Sequence, residues 1–183
     1  MGMPAPVYFT RAMVLDLPED GNRYELVRGE LLVTPSPRLR HQLVIGRLYE
    51  RLSSYLRKEP VGEALFSPAD ISWGREDVLI QPDLFVIALE DARRDEWALI
   101  RRVLLAVEVL SPSSVRQDRF TKRLEYQRQG VPLYWIVDLE QPVVEVWTPV
   151  DHFPRFERER LSWQPAGASR AFEIELSELF RPI

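Results

Sequence analysis

The chain has 183 residues, 45% of them apolar, with two histidines, no cysteine and a formal net charge of −4. That length and composition allow one compact domain with a core of its own. The lack of cysteine excludes disulfides and thiolate chemistry, and His41 and His152 alone cannot make a three-histidine zinc site. The acidic balance argues against a general nucleic-acid coat.

Residues 1–7 lack the charged region and apolar stretch of a signal peptide, and no apolar run approaches the roughly 20 residues of a membrane helix. The expectation is a cytoplasmic protein with no membrane partner, folded as a single domain over residues 1–183.

In chain order, residues 10–17 predict a short helix capped by Thr10. A turn at Pro18, Asp20 and Gly21 follows, then two strands, 24–27 and 30–33, around Arg28-Gly29. The strongest helical pattern covers 38–58, with Leu43, Leu48, Leu52, Tyr55 and Leu56 as its apolar face, and ends at Pro60 and Gly62. Strands are expected at 63–66, 69–73 and 84–89. Residues 90–102 read as a loop or short helix. Residues 103–110 are the most strand-like run. A helix over 114–129 is stopped by Gly130 and Pro132. A strand pair, 133–137 and 143–148, and further strands near 156–163 and 172–176 complete an α/β (α+β) plan with a mixed sheet and flanking helices.

Glu108 lies in Val-Leu-Leu-Ala-Val-Glu-Val-Leu, where every neighbour is apolar. A carboxylate buried in such a run needs a partner or a metal, because desolvating it alone costs several kcal/mol, roughly. Strand alternation that turns it to solvent is the plainer alternative. Asp83 follows Pro82 and opens a second apolar strand, where a carboxylate can face a cleft. Pro-Asp is also a common turn dipeptide. Asp118, Lys122 and Tyr126 are spaced i, i+4, i+8 on one helix face. Lys122 is one of two lysines in an arginine-rich chain, and lysine offers a compact amine that arginine does not. A surface ion pair would explain the same spacing.

Two carboxylates and a lysine suit phosphodiester cleavage with Mg2+ (or Mn2+), which binds through one or two carboxylates and polarises phosphate. Glu25 and Glu30 flank the hairpin turn and could add a carboxylate, with Glu30 favoured of the two; a solvated hairpin explains them as well. Gln81 stands beside Asp83. His41 opens a helix, where capping or a surface position is the ordinary role. Arg40, Arg47 and Arg51 form a basic stripe that could follow a nucleic-acid backbone. Trp147, Phe153 and Trp163 are core positions by default or an interface.

Gln81-Pro82-Asp83, Glu108-Val109-Leu110-Ser111-Pro112, Asp118 with Lys122 and Tyr126, and Gly130-Val131-Pro132 with Tyr134-Trp135-Ile136-Val137-Asp138 together carry a resemblance. So do Tyr24-Glu25-Leu26-Val27, Gly29-Glu30-Leu31 and His41. The chain resembles the Uma-type family of predicted endonucleases, within the P-D…(D/E)-x-K restriction-endonuclease-like superfamily. The resemblance implies a restriction-endonuclease-like fold, Asp83 and Glu108 as metal carboxylates, and DNA as partner. The superfamily lysine two residues after the glutamate is absent, since that position is Leu110. Lys122 on the following helix is the expected replacement, with Asp118 and Tyr126 supporting it. Leu133 stands where relatives often carry a glutamate.

The reading is a metal-dependent endodeoxyribonuclease, expected as a homodimer. Two alternatives stay open on sequence: a catalytically inactive nucleic-acid or protein interaction module on the same fold, and a metal-dependent small phosphoesterase.

Overall fold

The computed structural model describes residues 7–182; the N-terminal segment read above for a targeting signal lies almost wholly outside them. No helix among the described residues is long and apolar enough to cross a membrane.

Thr10 caps helix α1, Arg11–Leu15, its hydroxyl accepting from the Met13 N–H at 3.4 Å. Strands β1, Arg23–Val27, and β2, Glu30–Thr34, form the expected antiparallel hairpin. Its turn places Arg28 and Gly29 at φ 49° and 82°, a conformation that costs glycine little. Strand β4, Val78–Leu79, pairs with β1 and completes a three-stranded sheet. The strand expected over 69–73 does not form. Ile71 alone bridges Ile80, and the chain then turns through Trp73 and Gly74 at φ 50° and 76°.

The central sheet has six strands in the order β3-β5-β6-β7-β8-β9. These are β3, Gly62–Phe66; β5, Leu84–Ala88; β6, Val103–Val109; β7, Tyr134–Asp138; β8, Val143–Trp147; and β9, Arg155–Glu157. All neighbours are antiparallel except β6 and β7. That parallel step requires a crossover, and the helix after β6 supplies it. A short helix α3, Leu89–Ala92, follows β5. Residues 156–163, read as one strand, split: β9 closes the central sheet, while β10, Arg160–Trp163, pairs with β11, Phe172–Glu175. Helix α5, Leu176–Leu179, ends the fold.

The sheet is covered on both faces. One face meets α2, Leu39–Leu56, through Val44, Ile45, Leu48, Leu52 and Leu56, together with β10, β11 and α5. The buried stripe is rotated slightly from the expected one: Leu43 is only half-buried and Val44 and Ile45 take its place. The other face carries Phe85, Ile87, Ala106, Tyr134, Ile136 and Trp147, packed against the three-stranded sheet and Tyr126. Trp147 and Trp163 are core residues, while Phe153 is exposed.

The helix expected over 114–129 has an unexpected interior. A π-helical stretch, Gln117–Lys122, runs directly into α4, Arg123–Arg128. Such wide turns insert an extra residue into a helix and recur at functional sites.

Candidate active site

In the antiparallel register Leu84 stands opposite Val107 and Phe85 opposite Ala106. One step further, Asp83 falls opposite Glu108. Glu108 faces the crossover helix, while Asp83, just before β5, is met by Arg23 of β1 and His41 of α2. Asp83 lies at the strand's end and Glu108 inside β6, fully buried.

Leu110 shares Glu108's side by strand alternation, but it is apolar and packs into the core there. The amine arrives from the helix instead. Lys122 Nζ lies 2.6 Å from Glu108 Oε1 and 3.0 Å from Glu25 Oε1. It lies 3.5 Å from Asp118 Oδ1, an ionic contact too long to be a strong hydrogen bond. Tyr126 OH donates to Glu108 Oε1 at 2.8 Å. Asp118, Lys122 and Tyr126 thus do share a face, and it points at Glu108. Lys122 is 1% exposed and not at a cleft surface, so truncating it would leave buried carboxylates unpaired.

Asp83 is held on both oxygens. Arg23 Nη1 donates to Oδ1 at 2.6 Å, His41 Nε2 lies 3.0 Å from Oδ2, and the Val109 N–H donates to Oδ2 at 2.9 Å. His41 is therefore a buried member of the site and not a surface or capping residue. Strand β1 supplies two further members that alternation puts on one side: Arg23 and Glu25. Glu25 Oε1 accepts the Gln81 N–H at 2.8 Å. The acidic residue next to the site is Glu25, while Glu30, the favoured candidate, is exposed at the hairpin turn. Arg23 drew no attention in sequence, although it shares a strand face with Glu25. Gln81 does lie beside Asp83, and its amide side chain donates to Asp70 at 3.1 Å.

The arginine stripe of α2 is engaged elsewhere. Arg47 donates to the carbonyls of Leu179, Arg181 and Pro182, and Arg51 pairs with Glu178 at 3.1 Å. Both tie α2 to the C-terminal segment; Arg40 alone stays exposed without such a contact among the described residues.

The electrostatics follow from burial. Burial raises Glu108 well above the usual carboxylate range, and Asp83, Asp118 and Glu25 push the same way against Lys122. Burial likewise lifts Asp118 to about 6, opposed by Lys122 and the Ser114 hydrogen bond. Asp83 goes the other way. Burial would raise it, but the His41 hydrogen bond and the Arg23 charge outweigh burial and hold it well below the usual range. For Lys122, burial favours the neutral amine, but Glu108, Glu25 and Asp118 keep it charged. Burial and Glu108 keep the Tyr126 phenol protonated, so it serves as a donor.

Four carboxylates, Glu25, Asp83, Glu108 and Asp118, face two fixed cations, Arg23 and Lys122. The formal excess is two negative charges with His41 left out of the count. Glu108 Oε2 is buried without a hydrogen-bond partner. Among the described residues no three acidic or histidine side chains form a ready metal cage. Magnesium needs fewer, since it keeps waters and takes one or two carboxylates. The residues present fit such an ion: among the described residues Glu108 Oε2 and Asp118 Oδ1 are buried without a hydrogen-bond partner, and burial and neighbouring carboxylates push both groups upward.

Above Asp83 opens a cleft of about 690 Å³, bounded by Arg23, Arg38, His41, Phe66 and the Ser111–Ser114 turn. Asp83 is among its lining residues, while Glu108 and Lys122 are not.

Comparison with known proteins agrees with this architecture. No curated protein matches the chain. Among solved structures, one described as a "putative nuclease belonging to DUF820" from Anabaena variabilis superposes with a TM-score of 0.76 at 20% identity. The match covers 94% of this chain and 97% of that one, and at this identity it speaks for the fold. The family Uma2, described as "putative restriction endonuclease", matches residues 11–176. With nearly the whole chain matched and the fold in agreement, this protein belongs to the Uma2 family and has a nuclease-like fold.

Proposed function

We propose that this chain is a metal-dependent endonuclease that hydrolyses phosphodiester bonds of DNA, with Asp83 and Glu108 holding Mg2+ or Mn2+. The observation that supports the reading is the amine of Lys122, 2.6 Å from Glu108, on the strand whose Val107 pairs with Leu84, the residue after Asp83. When bound, the ion supplies Lewis-acid polarisation of the scissile phosphate. Lys122 keeps Glu108 oriented and offers positive charge toward the charge that develops on phosphate oxygens. Tyr126 fixes the same carboxylate oxygen, and Arg23 and His41 orient Asp83.

The test is plasmid nicking with Mg2+ or Mn2+, comparing wild type with Asp83→Asn, Glu108→Gln and Lys122→Met. Each variant is expected to lose activity by at least about 100-fold, the scale of removing one electrostatic contributor. Methionine preserves most of the lysine stem, so loss of packing is kept apart from loss of the amine. Calorimetry should find divalent-ion binding that needs both Asp83 and Glu108. A Lys122→Met protein that folds and cuts normally would remove Lys122 from the site.

A second reading rests on a different observation. Both oxygens of Asp83 are already engaged by Arg23, His41 and Val109. A relic whose ion pairs now serve stability would look this way, and would act as a binding module. Absence of cutting by the wild type across metals and substrates, with nucleic-acid binding retained, would select it.

A further inference from the structure

The cleft above Asp83 has the scale of a small molecule. About 690 Å³ falls within the roughly 300–1,000 Å³ typical of pockets that enclose one organic ligand. Asp83, one of its lining residues, is nearly buried, and Glu108 has no exposed surface. Phosphates of an intact duplex lie on a convex rod flanked by stacked pairs. A phosphate of either form can approach the carboxylates, but a base enters the same cleft only if its nucleotide leaves the stack, as with bases extruded into enzyme pockets.

The rim is built for an unstacked base. Phe66, the last residue of β3, borders the cleft and is 51% exposed. Tyr49 packs edge-on against it at 4.9 Å with an interplanar angle of 84°. An exposed aromatic offers any base a π-face, independent of its identity. Ser111 and Ser113, in the turn before the crossover helix, also line the cleft, their hydroxyls hydrogen-bonded to each other at 3.1 Å. Arg38 stands exposed at the rim. These groups suit one flanking phosphate, not the many that a duplex track would need. Arg47 and Arg51, which could have extended a basic track along α2, are occupied by the C-terminal segment.

We propose that the cleft takes one unstacked nucleotide of single-stranded or locally opened DNA, its base against Phe66 and its flanking phosphate toward Arg38 and the Ser111–Ser113 turn. The proposal rests on the nuclease reading and adds the form of its substrate.

The test is fluorescence anisotropy with a labelled twelve-residue DNA oligonucleotide of mixed sequence, single-stranded or annealed to its complement, with Ca2+ in place of Mg2+. Wild type is expected to bind the single strand at least about 10-fold tighter than the duplex. Phe66→Ala is expected to weaken single-strand binding by about 5- to 150-fold, the worth of one stacked base. Phe66→Leu keeps the apolar bulk without the ring and should weaken it similarly, whereas Phe66→Trp should retain it. Equal affinity for duplex and single strand, or undiminished binding by a folded Phe66→Leu protein, overturns the proposal. If the plasmid is still nicked in that case, the nuclease reading stands without it. If no oligonucleotide binds and no plasmid is cut, both fall.

Discussion

At the scale of single residues, the site is a contest between burial and charge. Glu25 and Glu30 flank one turn, yet β1 is covered on both faces while Glu30 ends at solvent. The local pattern of the two glutamates is much alike, and only packing separates them. Glu25→Gln is therefore expected to lower nicking at least about 10-fold, since it removes a charge from Lys122. Glu30→Gln should cut like wild type, and the same plasmid assay reads both. Asp118 gives a pH-dependent outcome. Burial raises it to about 6, above the ordinary value near 3.8. The folded state thus binds its proton more tightly than the unfolded chain. Its contribution to stability is full below about pH 4 and is lost as pH rises through 6. The shift is worth about 3 kcal/mol at most. Asp118→Asn cannot ionise, so its melting temperature relative to wild type should rise between pH 4 and pH 7. A constant difference across that range would show that Asp118 does not titrate as described. Asp83 and Glu108 could be picked out because their runs are apolar. Arg23 and His41 could not, because an arginine at a strand start and a histidine in a helix's first turn are ordinary surface residues until a tertiary partner is known.

At the scale of elements, long periodic segments were readable and short irregular ones were not. Helix α2 repeats apolar residues at 44, 48, 52 and 56, and β6 is apolar almost throughout, so each has a single way to be buried. Residues 69–73 alternate like a strand, but one bridge at Ile71 is all the pairing they obtain before the turn at Trp73. The crossover helix was expected in place, though without its π-helical stretch. A wide turn leaves no periodic mark within six residues, because a period of 4.4 cannot be told from 3.6 over so short a span. That stretch holds both Asp118 and Lys122. Deleting Phe120, which is exposed, would restore ordinary helical winding and rotate Lys122 by about 30° relative to Asp118, since three α-helical steps replace four wider ones. The expected result is unchanged helical circular dichroism with nicking reduced at least about 10-fold. Wild-type activity in the deletion variant would show that the wide turn is dispensable. Deleting the buried contact of α2 with Leu52→Ala should instead cost about 2–5 kcal/mol in urea unfolding, whatever happens at the site.

At the scale of the whole molecule, β3 and β9 are the edges of the central sheet. Strand β9 carries Arg155, Phe156 and Glu157, with Phe153 and Phe156 exposed. Antiparallel pairing of two copies about Phe156 would set Arg155 of each opposite Glu157 of the other, a self-complementary two-fold contact. We expect a symmetric homodimer on this edge. Sedimentation at micromolar concentration should show twice the chain mass, and Phe156→Glu should return a monomer; a monomeric wild type would end the idea. The sequence by itself determined the longer elements and their order, the mixed sheet with its flanking helices, and which carboxylates and lysine were candidates. Those features follow from local periodicity and from the cost of burying a charge, both of which act along a few neighbouring residues. Tertiary structure alone decided that Lys122 meets Glu108 and Glu25 in the interior, that Arg23 and His41 hold Asp83, and that Arg47 and Arg51 face the C-terminal segment. Most of these partners are about 40 to 130 residues apart, so no local pattern can encode their meeting, which depends on how sheet register and the crossover helix bring distant faces together.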